Sequence, residues 1–336
     1  MQALISKSPA ELKEIAAEVG LKPFAANQIA DWLYHKRATS IDAMTNLSLK
    51  ARTMLNERYE LGLSAPVWSA MSQDGTAKYL FNTANGLVET VFIPEDDRGT
   101  LCVSCQVGCR MNCRFCMTGK QGWSGNLSAA EIMNQILSVP ESSRLTNIVF
   151  MGMGEPFDNT DAILRCCDIL TSDWGLGWSP TRITVSTVGV IPEMRRFLDS
   201  TKCHLAVSLH NPFPEERSLV MPAERRYSIT DVVDTLRKYD WSHQRRLSFE
   251  YILFKGENDT QRHASELLRL LKGMECRINL IRWHAIPGID ICSPDQAGME
   301  AFRDYLSSNG IICTIRRSRG EDIQAACGLL SSNHKR

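Results

Sequence analysis

Cys109-Arg-Met-Asn-Cys113-Arg-Phe-Cys116 sets three thiols within eight residues, directly after an apolar stretch, Leu101–Gln106, that reads as a strand. Thiols so spaced on one loop can converge on a single metal centre, and soft sulfur donors select zinc, copper(I) or iron–sulfur. A closed zinc site wants a fourth ligand, which Cys105 or Cys102 could supply. An iron–sulfur cubane is usually held by four cysteines; one held by three keeps an iron open to a small ligand, which makes it a catalytic site. Reduced spectator thiols are the remaining alternative. Five of the twelve cysteines crowd between positions 102 and 116, and the start, MQALISKSPAELKEIAAEVG, has no apolar signal core. Metal or redox chemistry in the cytoplasm is therefore the expectation, rather than a secreted disulfide framework.

Outward from this loop, strands and helices alternate. Strands are expected at Leu101–Gln106, Asn147–Met151, Arg182–Ser186, His204–Ser208, Leu247–Phe254 and Arg277–Trp283, with helices between them. A last helix at Gln296–Ser307 and a last strand at Gly310–Arg316 close the chain. Six such β-then-α units imply an α/β fold, either a doubly wound sheet or a barrel short of eight units. Five of the strands end in polar or glycine-rich groups: Cys109, Gly152-Met-Gly-Glu-Pro, Ser186-Thr-Val-Gly, Ser208-Leu-His210 and Trp283-His284. Catalytic groups of parallel barrels collect at the carboxyl ends of the strands, so these five point to one shared mouth.

Ahead of this region, residues 1–60 carry helical patterns at Ser8–Val19, Ala25–His35 and Leu49–Arg58. Residues 61–96 hold two β-rich runs around Ala84-Asn-Gly, a hairpin signal. The expected organisation is a helical accessory domain (1–60), a β-hairpin extension (61–96) and a catalytic domain (97–336) whose final segment bears Cys327. No run of about 18 apolar residues marks a membrane span. Formal net charge is zero, so any basic surface for nucleic acid must come from local groups such as Arg195-Arg196, Arg225-Arg226, Arg245-Arg246 and Arg316-Arg317.

The cysteine run followed by a strand-end Gly-Glu-Pro resembles the radical-SAM superfamily, which implies a partial (β/α)6 barrel and a [4Fe–4S] cluster on Cys109, Cys113 and Cys116 that binds S-adenosylmethionine. From about Gly75 to Leu329 the chain resembles more closely the RlmN/Cfr family of RNA adenine methyltransferases. The matching stretches are Arg98-Gly-Thr-Leu-Cys-Val-Ser, Gln106-Val-Gly-Cys, Asn126-Leu-Ser-Ala-Ala-Glu-Ile, Met151-Gly-Met-Gly-Glu-Pro, Val207-Ser-Leu-His and Arg319-Gly-Glu-Asp-Ile-Gln-Ala-Ala-Cys-Gly.

The resemblance implies a cycle that uses two S-adenosylmethionine molecules per turnover. Cys327 takes a methyl group from the first, and the radical derived from the second activates that methyl for addition to an adenine carbon. Cys102 then resolves the covalent adduct as a disulfide. Glu89 aligns with the family's proposed general base, with Glu95 as an alternative carboxylate. Cofactor contacts are implied at Gly154, Glu155, Ser186, Ser208, Leu209, His210 and His284. The implied substrates are 23S rRNA near the peptidyl-transferase centre and an anticodon-loop adenosine of tRNA. Electrons would come from a donor such as flavodoxin or ferredoxin, and the enzyme would be a cytoplasmic monomer without a membrane partner.

Without the resemblance, Cys102 and Cys327 would read as a strand cysteine and a buried turn cysteine. His210 and His284 alone would more often be structural. His284 stands where asparagine is expected in many members, and Cys105 where serine is common. The wording of Gly152-Met-Gly-Glu-Pro and of Arg316-Arg-Ser-Arg-Gly-Glu-Asp-Ile favours C2 of adenine over C8, the Cfr position. The expected RNA surface combines the amino-terminal helices, Arg110, Arg114 and Lys120 of the cysteine loop, and Arg316–Arg319. A zinc-stapled RNA-binding protein without catalysis, and a radical-SAM enzyme acting on a small molecule, are the competing classes; neither needs the Cys102/Cys327 pair.

Overall fold

A computed structural model describes residues 1–242 and 245–331 of the chain. Ten strands form one continuous sheet. They are β1 (Trp68–Met71), β2 (Ala77–Thr83), β3 (Gly86–Glu95), β4 (Arg98–Cys102), β5 (Asn147–Phe150), β6 (Ile183–Thr187), β7 (His204–Ser208), β8 (Leu247–Leu253), β9 (Arg277–Arg282) and β10 (Ile312–Ile315). Spatial order follows chain order from β1 to β10. Strands β1 to β4 pair antiparallel, whereas β4 to β10 all run parallel. The parallel part is the expected partial barrel with one further strand at its edge. The hairpin β2–β3 is not a separate module, because β3 pairs directly with β4 from Val91/Cys102 to Glu95/Arg98.

Alternation along these strands decides what the barrel holds. Leu101, Ile148, Ile183, Val185, Leu205, Val207, Phe249, Tyr251, Ile278 and Leu280 are all fully buried. Their neighbours in sequence, such as Thr100, Cys102, Thr184, Ser248 and Asn279, face an interior cavity. Successive side chains of a strand point to opposite faces, so the apolar set packs outward against the helices and the polar set lines the lumen. A barrel core is ordinarily filled with branched apolar side chains. This one keeps a hollow in which those polar side chains stand beside Val149, Met151 and Ile281.

The amino-terminal helices form as their caps predict. Ser8 Oγ accepts from the Glu11 amide (3.2 Å) while the Glu11 carboxylate accepts from the Ser8 amide (2.7 Å), a reciprocal capping box. A short parallel pair, Gln2–Ala3 with Tyr59–Glu60, closes this unit. It packs on the barrel through Tyr34 against Trp174, with ring centroids 5.7 Å apart, and through Arg165–Glu11 at 3.2 Å.

The expected strand Leu101–Gln106 is broken. Pairing in the main sheet ends at Cys102, and Gln106–Gly108 instead forms a two-stranded ribbon with Trp123–Asn126. The cause lies in the intervening polar groups. Ser104 Oγ donates to the Glu89 carbonyl (2.5 Å), and the Cys105 and Gln106 amides both donate to the Met153 carbonyl (2.8 and 3.1 Å). The chain thus leaves the sheet and returns as the base of the cysteine loop, with the Cys109 amide bonded to the Gly122 carbonyl at 2.9 Å.

The His210 ring is fully enclosed, and burial, reinforced by the Arg217 charge, pushes its pKa down to about 3. An imidazole whose folded value is depressed contributes stability that is lost as pH falls through the window from about 6.5 toward 3. Denaturant titrations across that window should show His210→Asn losing less stability on acidification than the parent chain, by up to about 1.4 kcal/mol per pH unit.

Candidate active site

Three segments meet at the carboxyl ends of the strands: the cysteine loop, the strand ends themselves, and a strap from Arg316 to Ser331 that carries Cys327. The strap is tied on both sides. On the loop side, the Met117 amide donates to the Gly328 carbonyl (2.8 Å) and Thr118 Oγ1 to the Leu330 carbonyl (2.7 Å). On the hairpin side, Asp74 accepts from the Gly320 amide (3.0 Å), and Asp322 accepts from Ser72 Oγ (2.6 Å) and the Gln73 amide (3.2 Å). Burial pushes the Asp74 carboxyl up, but bonds from Thr76, the Gly320 amide and Ser72 outweigh it and hold the group at about 2, well below the ordinary range.

Cys102 and Cys327 line one cavity of about 380 Å³ inside the barrel, within the usual range for small-ligand sites. Burial pushes the Cys102 thiol up to about 12, and the nearby charge of Cys327 adds to the shift. Cys327 is open to solvent yet ringed by protein atoms, because the space it faces is this cavity; enclosure raises its thiol and the Arg316 guanidinium opposes the rise. Its charge also interacts with that of Cys116. Cys327 therefore stands between the resolving cysteine that the sequence suggested and the metal loop.

Cys113 is buried and Cys109 and Cys116 are half-buried. Burial pushes Cys109 up to about 12 and Cys113 well up, and repulsion among the three thiols adds to both. Thiolates become favourable here only around a cationic centre, so the donor set fits an iron–sulfur cluster. Among the described residues no three His, Cys, Asp or Glu side chains close on a single metal ion; a cubane asks only that each cysteine reach its own iron. Cys105 lies nearby, fully buried, with its thiol raised by burial and by Glu155.

The implied S-adenosylmethionine contacts divide into two groups. Ser186 and Ser208 are half-buried, with no side-chain hydrogen bond among the described residues, and so are free to meet a ligand. Gly154, at φ +106°, has no room for a side chain: a Cβ would come within 2.6 Å of Gln106. His284 lines the cavity, its Nε2 3.1 Å from Ser318 Oγ on the strap. Glu155, His210 and Leu209 are turned inward. The Glu155 carboxylate accepts from Thr187 Oγ1 (2.6 Å), the Val188 amide (2.9 Å) and the Phe157 amide (3.1 Å), and burial pushes its pKa up to about 7. His210 Nδ1 accepts from the Ile252 amide (3.0 Å), and the ring packs edge-on against Phe115 of the cysteine loop at 4.7 Å. Leu209 is fully buried. These three fix the strand ends in place.

Glu89 is buried rather than solvent-facing, as strand alternation alone would have put it. Its Oε1 is 2.9 Å from Lys78 Nζ and its Oε2 accepts from the Ser331 amide at 3.0 Å. Glu95, the alternative, pairs with Arg98 at 3.0 Å at the cavity edge.

Sequence reasoning missed three charged residues. Arg217 is fully buried, donates to the carbonyls of Leu209 (2.8 Å), Val188 (2.9 Å) and Ser208 (2.7 Å), and pairs with Glu224. Glu250 accepts from Asn279 (2.7 Å) and Arg316 (3.2 Å), while its Oε2 has no hydrogen-bond partner among the described residues. Lys78 is the third. The one available signal was a lone charge inside an otherwise apolar run, as in Ala77-Lys78-Tyr-Leu-Phe. A larger cleft, about 850 Å³, lies on the helical exterior beside Asp168 and Arg196 and includes none of the strand-end groups.

A family model for the radical SAM superfamily matches residues 103–268, and one for the ribosomal RNA large subunit methyltransferase N-terminal domain matches residues 3–61. A radical SAM methyltransferase structure from Sphaerobacter thermophilus is 41% identical, with a TM-score of 0.93, over 99% of this chain and 100% of that one. Fold and cysteine loop thus define a radical-SAM enzyme, a class that uses a [4Fe–4S] cluster and S-adenosylmethionine. The dual-specificity RNA methyltransferase RlmN of Phocaeicola vulgatus is 58% identical over 98% of this chain and 95% of its own length. That of Geobacter sulfurreducens is 42% identical over 95% and 89%. The chain belongs to the RlmN family of RNA methyltransferases.

Replacing any one of Cys109, Cys113 or Cys116 by serine should abolish bound iron and acid-labile sulfide in anaerobically reconstituted protein, while Cys105→Ser should retain both. In a separate test, Arg217→Met leaves Glu224 buried without its cation and should cost about 3–5 kcal/mol in denaturant unfolding.

Proposed function

We propose that the protein converts adenosine to 2-methyladenosine in 23S rRNA, at the peptidyl-transferase centre, and in the anticodon loop of tRNA, by way of a methyl group carried on Cys327. The observation that carries this reading is the shared cavity: Cys102 and Cys327 line one hollow, and Cys327 is also within electrostatic reach of the cysteine loop. A noncatalytic zinc-stapled module needs no such pair. Adenine C2 is not nucleophilic, so a direct displacement on a methyl sulfonium cannot methylate it.

Cys109, Cys113 and Cys116 would hold the cluster, and Gly154, Ser186, Ser208 and His284 would border S-adenosylmethionine. When bound, these cofactors supply a methyl group to sulfur and a carbon radical able to take hydrogen from that methyl. Cys327 sulfur accepts the methyl, loses one of its hydrogen atoms, and presents the resulting methylene radical to C2 of the base. The new bond joins that methylene carbon to C2. The C2 proton passes to Glu89, and one electron leaves the adduct for the oxidised form of the external electron carrier. Cys102 sulfur then attacks Cys327 sulfur; the S–C bond breaks, the methylene carbon takes the proton of the Cys102 thiol, and a disulfide remains. Two electrons from an external reductant restore both thiols. Two S-adenosylmethionine molecules are consumed.

The cavity also carries the charge an RNA segment needs. Arg98, Arg246, Arg277 and Arg316 border it, and their mutual repulsion adds to the burial that lowers Arg246. A base must leave its stack to enter such a hollow, as in other base-modifying enzymes. The exposed guanidinium of Arg110 stacks on Trp123 at 3.5 Å, beside the cysteine loop, and suits contact with RNA outside the cavity. No described helix is long and apolar enough to cross a membrane. We take the enzyme to work as a monomer fed by flavodoxin or ferredoxin, and a reducing cytoplasm agrees with its twelve unpaired thiols.

Peptide mass spectrometry of protein made with iron and S-adenosylmethionine available should find one added methyl on the Cys327 peptide. Digests of treated RNA should yield 2-methyladenosine. An unmodified Cys327 in cluster-loaded protein would overturn the relay, and 8-methyladenosine would assign the chain to the Cfr chemistry instead.

A further inference from the structure

Lys78 is a buried cation in strand β2, placed where the hairpin meets the strap. It lies diagonally across the antiparallel pair from Glu89, since Leu80 is Glu89's direct partner and Lys78 is on the same face two residues away. Side-chain exposure is 4% for Lys78 and 2% for Glu89. The ammonium is 2.9 Å from Glu89 Oε1 and also donates to the Gln324 carbonyl at 3.3 Å. Trp68 covers it, with the ring centroid 5.9 Å away. The second Glu89 oxygen accepts from the Ser331 amide at 3.0 Å.

The ion pair therefore grips the strap at two points, three residues before Cys327 and four after it. Neither grip uses a side chain of the strap. A buried carboxylate is tolerated when a cation and further donors accompany it, and losing one partner strands the other. A surface lysine could be spared; this one is the counter-charge that β2 itself supplies to Glu89.

We propose that Lys78 is a positioning residue for the deprotonation step: it fixes the Glu89 side chain against the strap segment that bears Cys327. The proposal rests on Glu89 being the acceptor of the C2 proton, as set out above. Lys78 touches neither substrate nor cofactor in this arrangement and acts through Glu89. Its loss should therefore spare the steps that precede proton removal, namely methylation of Cys327 and addition to the base. The covalent RNA–Cys327 adduct should then persist, because the C2 proton has no competent acceptor.

The test uses full-length, cluster-loaded protein with radiolabelled RNA, resolved on denaturing gels that report covalent RNA–protein species. Cys102→Ala serves as the reference, because it cannot resolve the adduct. Lys78→Met should keep methylated Cys327 at the parent level by mass spectrometry, lower methylated RNA at least tenfold, and accumulate an RNA–protein band like that of Cys102→Ala. Lys78→Arg, which keeps the charge, should restore most of the product and remove the band. If Lys78→Met turns over like the parent, or loses Cys327 methylation and forms no band, the positioning role is wrong and Lys78 merely anchors the strap. If Cys102→Ala also forms no band, the relay through Cys327 fails, and the role of Lys78 fails with it.

Discussion

If Cys327 carries the methyl group as proposed, its thiol serves two chemistries and has to be held from two sides, and that constraint organises the molecule. Cys327 sits on a strap bonded to the cysteine loop through Gly328 and Leu330, and to the hairpin region through Gly320, Asp322, Gln324 and Ser331. Backbone groups of the strap carry most of these bonds. The strap is thereby placed with little demand on its own side chains, leaving the sulfur free to face the cavity. On one side lies the cysteine loop, on the other Cys102, the resolving thiol of the proposed relay.

The second requirement is a hollow barrel. Strand alternation sends the bulky apolar residues outward and leaves threonine, serine, asparagine and cysteine inside. Charges deep in the protein are matched rather than avoided: Arg217 with Glu224, Lys78 with Glu89, and Glu250 with the more exposed Arg316. Burying such pairs seldom adds stability relative to apolar packing. Here they do positional work: Arg217 ties together the ends of β6 and β7, and Lys78 with Glu89 joins the hairpin to the strap. The hairpin is consequently part of the catalytic scaffold, continuous with the barrel sheet through β3 and β4.

Much of this was legible in the sequence. The first helix start was legible in Ser8 with a glutamate three residues on, and that capping box is present, as is a second at Ser128. The six β-then-α units appear with strand bounds shifted by a few residues at most. The break after Cys102 escaped notice because Val103-Ser-Cys-Gln has strand-like composition, and only the tertiary bonds of Ser104 and the Met153 carbonyl pull it from the sheet. For the site, spacing alone marked Cys109, Cys113 and Cys116; Cys102 and Cys327 came from resemblance, since each in isolation is an ordinary cysteine. The inward roles of Glu155 and His210 and the burial of Glu89 were beyond reach, because a period-two pattern says which face a residue takes and not what covers that face. Lys78 and Arg217 looked like surface charges for the same reason.

The relay between Cys102 and Cys327 is the central claim, and it leaves a covalent trace. After a single turnover on RNA by protein carrying a pre-reduced cluster, with excess reductant removed beforehand, the reaction should be quenched in acid and the disulfides mapped by mass spectrometry. The account predicts a Cys102–Cys327 disulfide in one-to-one proportion with methylated adenine. Methylated adenine formed while both cysteines remain reduced would contradict it.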